Sequence, residues 1–539
     1  MKTRYLKYIM ITGLGLMAVC FSCTNLDETV YSQLISEKFI PTENDVMSII
    51  GPAYTQLRSV WSDWCGLYDV CEESSDVLVT PVRPNGWDDG GIYRRMHKHT
   101  WTANDYHISA LWSRCYTGIT NANLALYQIE SGRLPISQNK ENYIAELKVI
   151  RAFYYYLLMD NFGNIPIVTK YDVPKDYLPE QNTRQEVYDF VVNEITSNID
   201  LLSEEVSSKT YGRFTIWAGY ALLAKVYLNA EVYTGVSKWT ECITACDKIL
   251  TPTKYTLEGD YKDIFKTNNE NCTETIFAIP YDEIYAGWLH WHMKTLHPLN
   301  QSTYNLEESP WGGNCAIPQF INTYNTKDKR LAESWIKGQQ YSSSGDSLFC
   351  NLGSDKMGQP LNFINFVQSA DYAAEDEGYR IGKYEIKMGA KGQLSNDVPV
   401  FRLADVMLMK AECLLRTGHA GDAATLVTEV RLRDFDDPSD ATVTGAKLEG
   451  NSGYQYGFVE NGVITEPDAT GAIQYGRLLD EIGWEFAAEV HRRQDLIRFD
   501  VFTTKTWLSH RPNGDYRKLF PIPQTQLNNN TNLVQNKGY

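Results

Sequence analysis

One segment of this chain leaves few choices of architecture. In the string RFTIWAGYALLAKVYLNAEVYTG, residues 213–235, Trp217, Tyr220, Ala221, Ala224 and Leu228 recur at i, i+3, i+4, i+7 and i+11. That spacing is one face of an α-helix and no face of a strand. Gly235 ends the pattern and Trp239–Leu250 resumes it, so the two pieces predict an antiparallel helix pair. Alanines set between large aromatics let such helices approach closely. The same design returns at Val400–Leu432, with its turn at Gly418, and Leu478–Phe499 predicts one more long helix.

Helix–turn–helix units of about 34 residues have the period of a tetratricopeptide repeat. The fold class expected is therefore mostly α, a row of tetratricopeptide-like helix pairs. Further helices are expected from Thr42, from about Asn104 to Ile129, from about Asn139 to Asn161, and from a capping box at Thr183 and Glu186 to about Leu202. The scaffold thus occupies mainly 104–250, 400–433 and 475–500 of a single domain spanning 41–539. Regions 61–101, 251–399 and 434–474 lack helical periodicity but keep aromatic and apolar content, which argues against disorder. They predict a large irregular half with short strands, including a hairpin turning at Asn461-Gly462.

The N-terminus carries Lys2, Arg4 and Lys7, then an apolar run from Tyr8 to Phe21, then Ser22 and Cys23. This is secretory-signal chemistry, and the run is too short to serve comfortably as a membrane span. Cys23 after a small residue resembles a bacterial lipoprotein cleavage box, so residues 1–22 are expected to be removed, Cys23 acylated, and 23–40 to form a tether to the membrane. Losing three basic and no acidic residues takes the formal net charge from −17 to −20. So acidic a surface argues against nucleic acid as a partner. Nine further cysteines are scattered without a CxxC pair. Cys242 and Cys246 share a helix face but have no completing ligands, so no metal and no cofactor is expected.

Chemistry concentrates in two loop-like stretches. Ala286–Gly313 carries Trp288, Trp291, Trp311 and Tyr304 among Gly, Pro, Asn and Ser, and residues 83–95 (RPNGWDDGGIYRR) carry Arg83, Trp87, Asp88 and Asp89. Loops run over surfaces, so their aromatics face solvent or a ligand. An exposed indole stacks on the apolar face of a sugar ring, while carboxylate, amide and guanidinium groups bond the hydroxyls. Trp87, Trp288 and Trp311 are therefore the expected platform, with Asp88, Asp89, Arg83 and Tyr304 beside it. Trp291 is set aside, because H-W-H as a short strand would turn it away from Trp288. Trp61 and Trp64 lie near a helix end and read as core. His97, His99, His290 and His292 read as exposed or hydrogen-bonding side chains, and Asp371–Glu377 as a solvated turn.

Four separated strings carry a family resemblance: AELKVIRAFYYYLLMDNFGNIPIV (145–168), FRLADVMLMKAECLLRTG (401–418), DEIGWEFAAEVHRRQDLIRFD (480–500) and the tail KLFPIPQTQLNNNTNLVQNKGY. With the Cys-x-x-Leu-Asp start at Cys23, they resemble the SusD/RagB family over essentially the whole mature chain. The resemblance implies four tetratricopeptide-like helix pairs beneath an irregular ligand-facing half. It also implies an outer-membrane lipoprotein, facing the cell surface, that captures polysaccharide or oligosaccharide without catalysis. A SusC-like TonB-dependent transporter is the implied partner. Three roughly coplanar indoles would suit an extended β-linked backbone, so a plant β-glucan is favoured, in the manner of the xyloglucan- and β-glucan-binding members; a curved α-glucan would need an arc of rings. The competing readings are a surface glycosidase, for which Glu72-Glu73 and Asp88-Asp89 are the adjacent carboxylates, and a peptide-binding or structural partner of a transporter.

Overall fold

A computed structural model describes residues 43–539 apart from positions 63, 85, 86, 135 and 137. Cys23, the leader and the tether lie outside the described residues, as does Thr42. The architecture is mostly helical with short strands. Ten helices build its frame: α1 (Glu43–Trp61), α2 (Tyr106–Glu130), α3 (Lys140–Phe162), α4 (Arg184–Thr196), α5 (Ile216–Leu228), α6 (Trp239–Leu250), α7 (Leu403–Arg416), α8 (Ala420–Arg431), α9 (Gly476–Phe486) and α10 (Arg492–Arg498). Among the described residues no helix is long and apolar enough to cross a membrane.

Successive helices pack side by side, α1 on α2, α2 on α3, α3 on α4, and then α5 on α6, α6 on α7 and α7 on α8. The chain leaves this row at the end of α6 and returns, more than 150 residues later, directly alongside the helix it left. Small residues set the close approaches. Ala218, Ala221, Ala224, Ala245, Ala404 and Ala411 are all buried at these crossings. At Gly118 in α2, any Cβ would lie 2.2 Å from the Tyr154 ring, whose hydroxyl donates to the Ala53 carbonyl at 2.6 Å. Thr183 caps α4 with the full reciprocal box to Glu186, as the sequence predicts, although α4 itself stops at Thr196 and a 3-10 turn (Ile199–Leu201) follows.

The long helix expected over Leu478–Phe499 is two helices. Between α9 and α10 the backbone turns through left-handed conformations at Ala488 (φ +61°) and Val490 (φ +70°), costly for residues with a Cβ. A buried charge network holds that turn. Arg402 reaches Glu274 (2.8 Å), Glu485 (2.6 Å) and Glu489 (2.9 Å), Arg330 reaches Glu481 (2.7 Å) and Glu485 (2.9 Å), and the Val490 amide donates to Glu72 at 2.7 Å. These bonds join α7, α9 and the irregular half into one interior.

Strands are short. Thr275–Ile279 pairs antiparallel with Val398–Arg402, so the mid-chain excursion is stitched shut where it begins and ends. The expected hairpin forms between Gly457–Glu460 and Val463–Pro467, with Asn461 and Gly462 both at positive φ, the requirement of a tight two-residue turn. Leu78–Val79 pairs with Cys315–Ala316, which draws the N-terminal irregular segment onto the mid-chain one.

One further expectation is corrected. Glu375, Asp376 and Glu377 are buried rather than a solvated turn. Glu375 accepts from the amides of Asn351 and Leu352 and from Ser354, and hydrogen bonds from His297, Ser354 and those amides overcome its burial to hold its carboxyl down at about 2. The nine cysteines described are free thiols, all buried except the half-buried Cys272.

Candidate functional site

The Leu78–Val79 pairing brings two arms together, residues 64–107 and residues 284–313. Arg83 shows why they stay joined. Its Nε donates to the Gly313 carbonyl (3.0 Å), its Nη1 to the Ala374 carbonyl (2.7 Å) and its Nη2 to Cys315 Sγ (3.1 Å). The side chain is buried, so Arg83 is a clamp between the arms and is corrected as a glycan contact.

Trp87 lies across the backbone it clamps. A Cβ at Gly313 would sit 1.7 Å from the indole Cζ3, so only glycine permits the ring to lie there. Trp87 meets Tyr93 at 5.5 Å (69°) and Trp311 at 6.3 Å (73°), edge to face in both cases. Trp311 is fixed by its own amide, which donates to the Met293 carbonyl at 2.7 Å, and its ring lies 5.8 Å from His290. The structure thus brings Trp87 and Trp311 together as expected, but steeply inclined to each other rather than coplanar.

Trp288 is 48% exposed and held at φ +91°, a strained conformation for a residue with a side chain. Its amide donates to Gln393 Oε1 at 2.6 Å, and Gly287 leaves the room Gln393 occupies. The Arg114 guanidinium stands 5.9 Å from the indole centroid. That same guanidinium donates to the carbonyls of Ser59 (2.7 Å) and Trp64 (2.9 Å), so it anchors the backbone that bears a second indole, Trp64, expected in the core. Trp64 is 37% exposed. It is followed by Cys65 at φ +62° and by Gly66, and that glycine was the available sign that α1 had ended and the ring was free to turn outward. Trp61, by contrast, is buried as expected, stacked on Phe153. Tyr106 and Tyr285 were also missed. Both are exposed, Tyr285 to 89%, on a tight turn in which Asp282 Oδ1 accepts from the amides of Ile284 and Tyr285.

The remaining expected residues are less central. Asp88 is tied to Arg94 at 2.6 Å, while Asp89 is exposed at φ +48°. Tyr304 sits apart, half-buried at the end of the helical turn Asn300–Tyr304, and burial pushes its phenol up. Trp291 is core, stacked on Tyr68 (4.6 Å) and edge to face with Tyr384 (4.4 Å), in a helical turn rather than a strand. His97, His99 and His292 are buried and hydrogen-bonded, and burial pushes them down to about 3, 3 and 4.

Beneath the rings lies a charged keystone. Buried Lys294 bonds Asp69 and stands 3.1 Å from Glu73, its ammonium 4.3 Å from the Tyr93 ring centroid, while its own carbonyl accepts the Gly313 amide at 2.7 Å. Asp69 also pairs with His107 at 3.1 Å and accepts the Cys65 amide at 3.0 Å. Lys294 and His107 overcome the burial of Asp69 and hold its carboxyl below the usual range. Glu72 and Glu73 are buried in the same interior, out of reach of any substrate bond. Around it stand the exposed rings of Trp64, Trp288, Tyr106 and Tyr285 and the half-buried, mutually inclined Trp87 and Trp311, with Asp89, Arg114 and Gln393 on the same two arms and their neighbours. Among the described residues no group of three His, Cys, Asp or Glu side chains is placed to hold a metal ion.

Residues 33–228 match a family model described as SusD-like, starch-binding and associating with the outer membrane, and residues 273–539 match the SusD family model. SusD-like protein P25 of Formosa agariphila is 24% identical, covering 98% of this chain and 99% of the relative. Starch-binding protein SusD of Bacteroides thetaiotaomicron is also 24% identical, over 84% of this chain and 82% of the relative. Surface glycan-binding protein A of Bacteroides thetaiotaomicron, solved in complex with laminarihexaose, superposes with a TM-score of 0.66 at 20% identity, covering 92% of this chain and 100% of that one. The chain belongs to the SusD/RagB family of non-catalytic, outer-membrane-associated glycan-binding proteins of the cell surface.

Proposed function

We propose that this protein captures a curved glucan on the inclined aromatic faces of its two joined arms, with a β-1,3-linked chain of the laminarin type as the favoured ligand. The observation that carries this reading is the 73° crossing of Trp87 and Trp311 at 6.3 Å. A flat backbone such as that of xyloglucan needs successive coplanar faces, whereas a chain that turns from residue to residue can meet rings set steeply to one another. The likeness to a laminarihexaose complex supports the β-1,3 linkage. The starch-binding relative supports a second reading, an α-glucan, which also curves.

Asp89, Arg114 and Gln393 supply the hydrogen bonds of the site. Cys23 is the acylated anchor, residues 23–40 the tether, and a SusC-like TonB-dependent transporter the partner that receives the oligosaccharide. Affinity electrophoresis through gels containing laminarin, starch, xyloglucan, mixed-linkage β-glucan, mannan and xylan tests the reading. The expected result is retention in laminarin with no new reducing ends. Retention in xyloglucan alone would overturn the curved-glucan assignment, and released sugar would overturn binding without catalysis.

A further inference from the structure

We propose a second, outlying contact for the same glycan chain on a small three-stranded leaf, residues 338–363, and this inference rests on the glycan-binding reading above. Gly338–Gln339 pairs with Asn362–Phe363, Tyr341 bridges Ser347, and Phe349 bridges Pro360. Three backbone bonds close the leaf on itself: Gln340 to Leu361 (2.8 Å), Leu348 to Gln340 (2.9 Å) and Leu361 to Leu348 (2.8 Å). Side chains alternate across each strand. Cys350, Leu361 and Phe363 therefore form a small core of their own, and Tyr341, Ser347 and Phe349 point outward.

Tyr341 is 48% and Phe349 50% exposed. They are two residues apart on adjacent strands, a diagonal pair with a usual separation of about 7–8 Å. A hydroxyl-rich turn flanks them, in which Ser344 Oγ donates to Asp346 at 2.7 Å. Two aromatic faces beside hydroxyl and carboxylate groups suit a sugar better than an aliphatic protein surface.

Continuity with the main site fixes the occupant. The leaf leans on the turn that bears Tyr304: Thr303 Oγ1 donates to the Tyr341 carbonyl (2.7 Å), the Ser343 amide to the Ser302 carbonyl (2.9 Å), and Ser343 Oγ to Asn305 (2.8 Å). From Tyr304 a single strut leads to the platform. Gly389 donates to the Tyr304 carbonyl at 2.7 Å, and Gln393 accepts the Trp288 amide. Gly389 and Gln393 are four residues apart, at most about 14 Å of extended chain. A polysaccharide seated on Trp288 and Trp311 therefore has the leaf within reach, whereas an oligosaccharide just long enough to cover the platform is held there alone.

The test compares the wild-type protein with the Tyr341→Ala/Phe349→Ala variant by titration with laminarin polymer and with laminarihexaose, alongside thermal unfolding. The expected result is a tenfold weaker affinity for the polymer, an unchanged affinity for the hexasaccharide and an unchanged Tm. Unchanged polymer affinity overturns the leaf contact, and so does an equal loss for both ligands. Trp288→Ala is the control that separates the two claims. It is expected to weaken both ligands, and its failure to do so counts against the platform rather than the leaf.

Discussion

At the scale of single residues, backbone geometry decides where the rings stand. Gly313 and Gly287 each make room for a side chain from elsewhere in the chain, Trp87 in one case and Gln393 in the other. Gly313→Ala is therefore expected to displace Trp87 and to weaken glycan binding at least tenfold, about 1.4 kcal/mol, with the helical frame intact. Titration together with far-ultraviolet circular dichroism checks this, and an unchanged affinity would remove Trp87 from the site. These residues were unevenly legible in the sequence. Glycine and proline neighbours correctly marked Trp288 and Trp311 as loop residues, whereas Trp291 was set aside on a strand reading that the structure replaces with a helical turn. The same reasoning failed for Arg83 and Trp64, because whether a loop side chain turns in or out depends on partners such as the Gly313 carbonyl and Arg114, which lie 230 and 50 residues away.

At the scale of elements, buried charges lock the two arms that the Leu78–Val79 pairing brings together. Lys294 in the mid-chain arm faces Asp69 and Glu73 in the N-terminal arm, and removing one partner of a buried pair leaves the other uncompensated, at a cost of about 3–5 kcal/mol. Lys294→Met is expected to lower stability by that order and to loosen the platform. Adding Asp69→Asn should recover part of the loss, since coupled sites are not additive. Denaturant titration of the single and double variants measures this, and simple additivity would contradict the keystone role. The helical elements were legible because a 3.6-residue period and the Thr183 capping box are local signals. The break between α9 and α10 was not, because Ala488 and Val490 adopt left-handed backbone without glycine, held there by partners distant in the chain such as Glu72, Lys383 and Arg402. Apart from the Asn461-Gly462 hairpin, the irregular half was legible only as irregular, since strands of two residues carry no period.

At the scale of the whole molecule, the helical row and the irregular half share one interior, and its buried acids tie stability to pH. Burial pushes the Glu72 carboxyl up to about 8, above its value of about 4.3 in an unfolded chain. Its contribution is thus fully present below the unfolded value and is lost as pH rises toward 8, because the unfolded chain ionises first. Glu72→Gln keeps an acceptor for the Val490 amide and cannot ionise. The Tm of the variant relative to wild type should therefore climb between pH 5 and pH 8 and level off above. A difference that stays constant across that range would contradict the assignment. The histidines act in the opposite direction. His97 and His99 are held neutral down to about 3 by burial, so their contribution is present above about 6.5 and is lost as the pH falls toward 3.

On the proposed reading, inclined indoles on two joined arms bind a curved glucan. Isothermal titration of laminarihexaose into the wild-type protein and into Trp87→Ala, Trp288→Ala and Trp311→Ala tests it most directly. Each substitution is expected to weaken binding by about tenfold or more, since truncating a central aromatic anchor costs about 2 kcal/mol, while Tm changes little for the exposed Trp288. Full affinity retained by all three variants would contradict it.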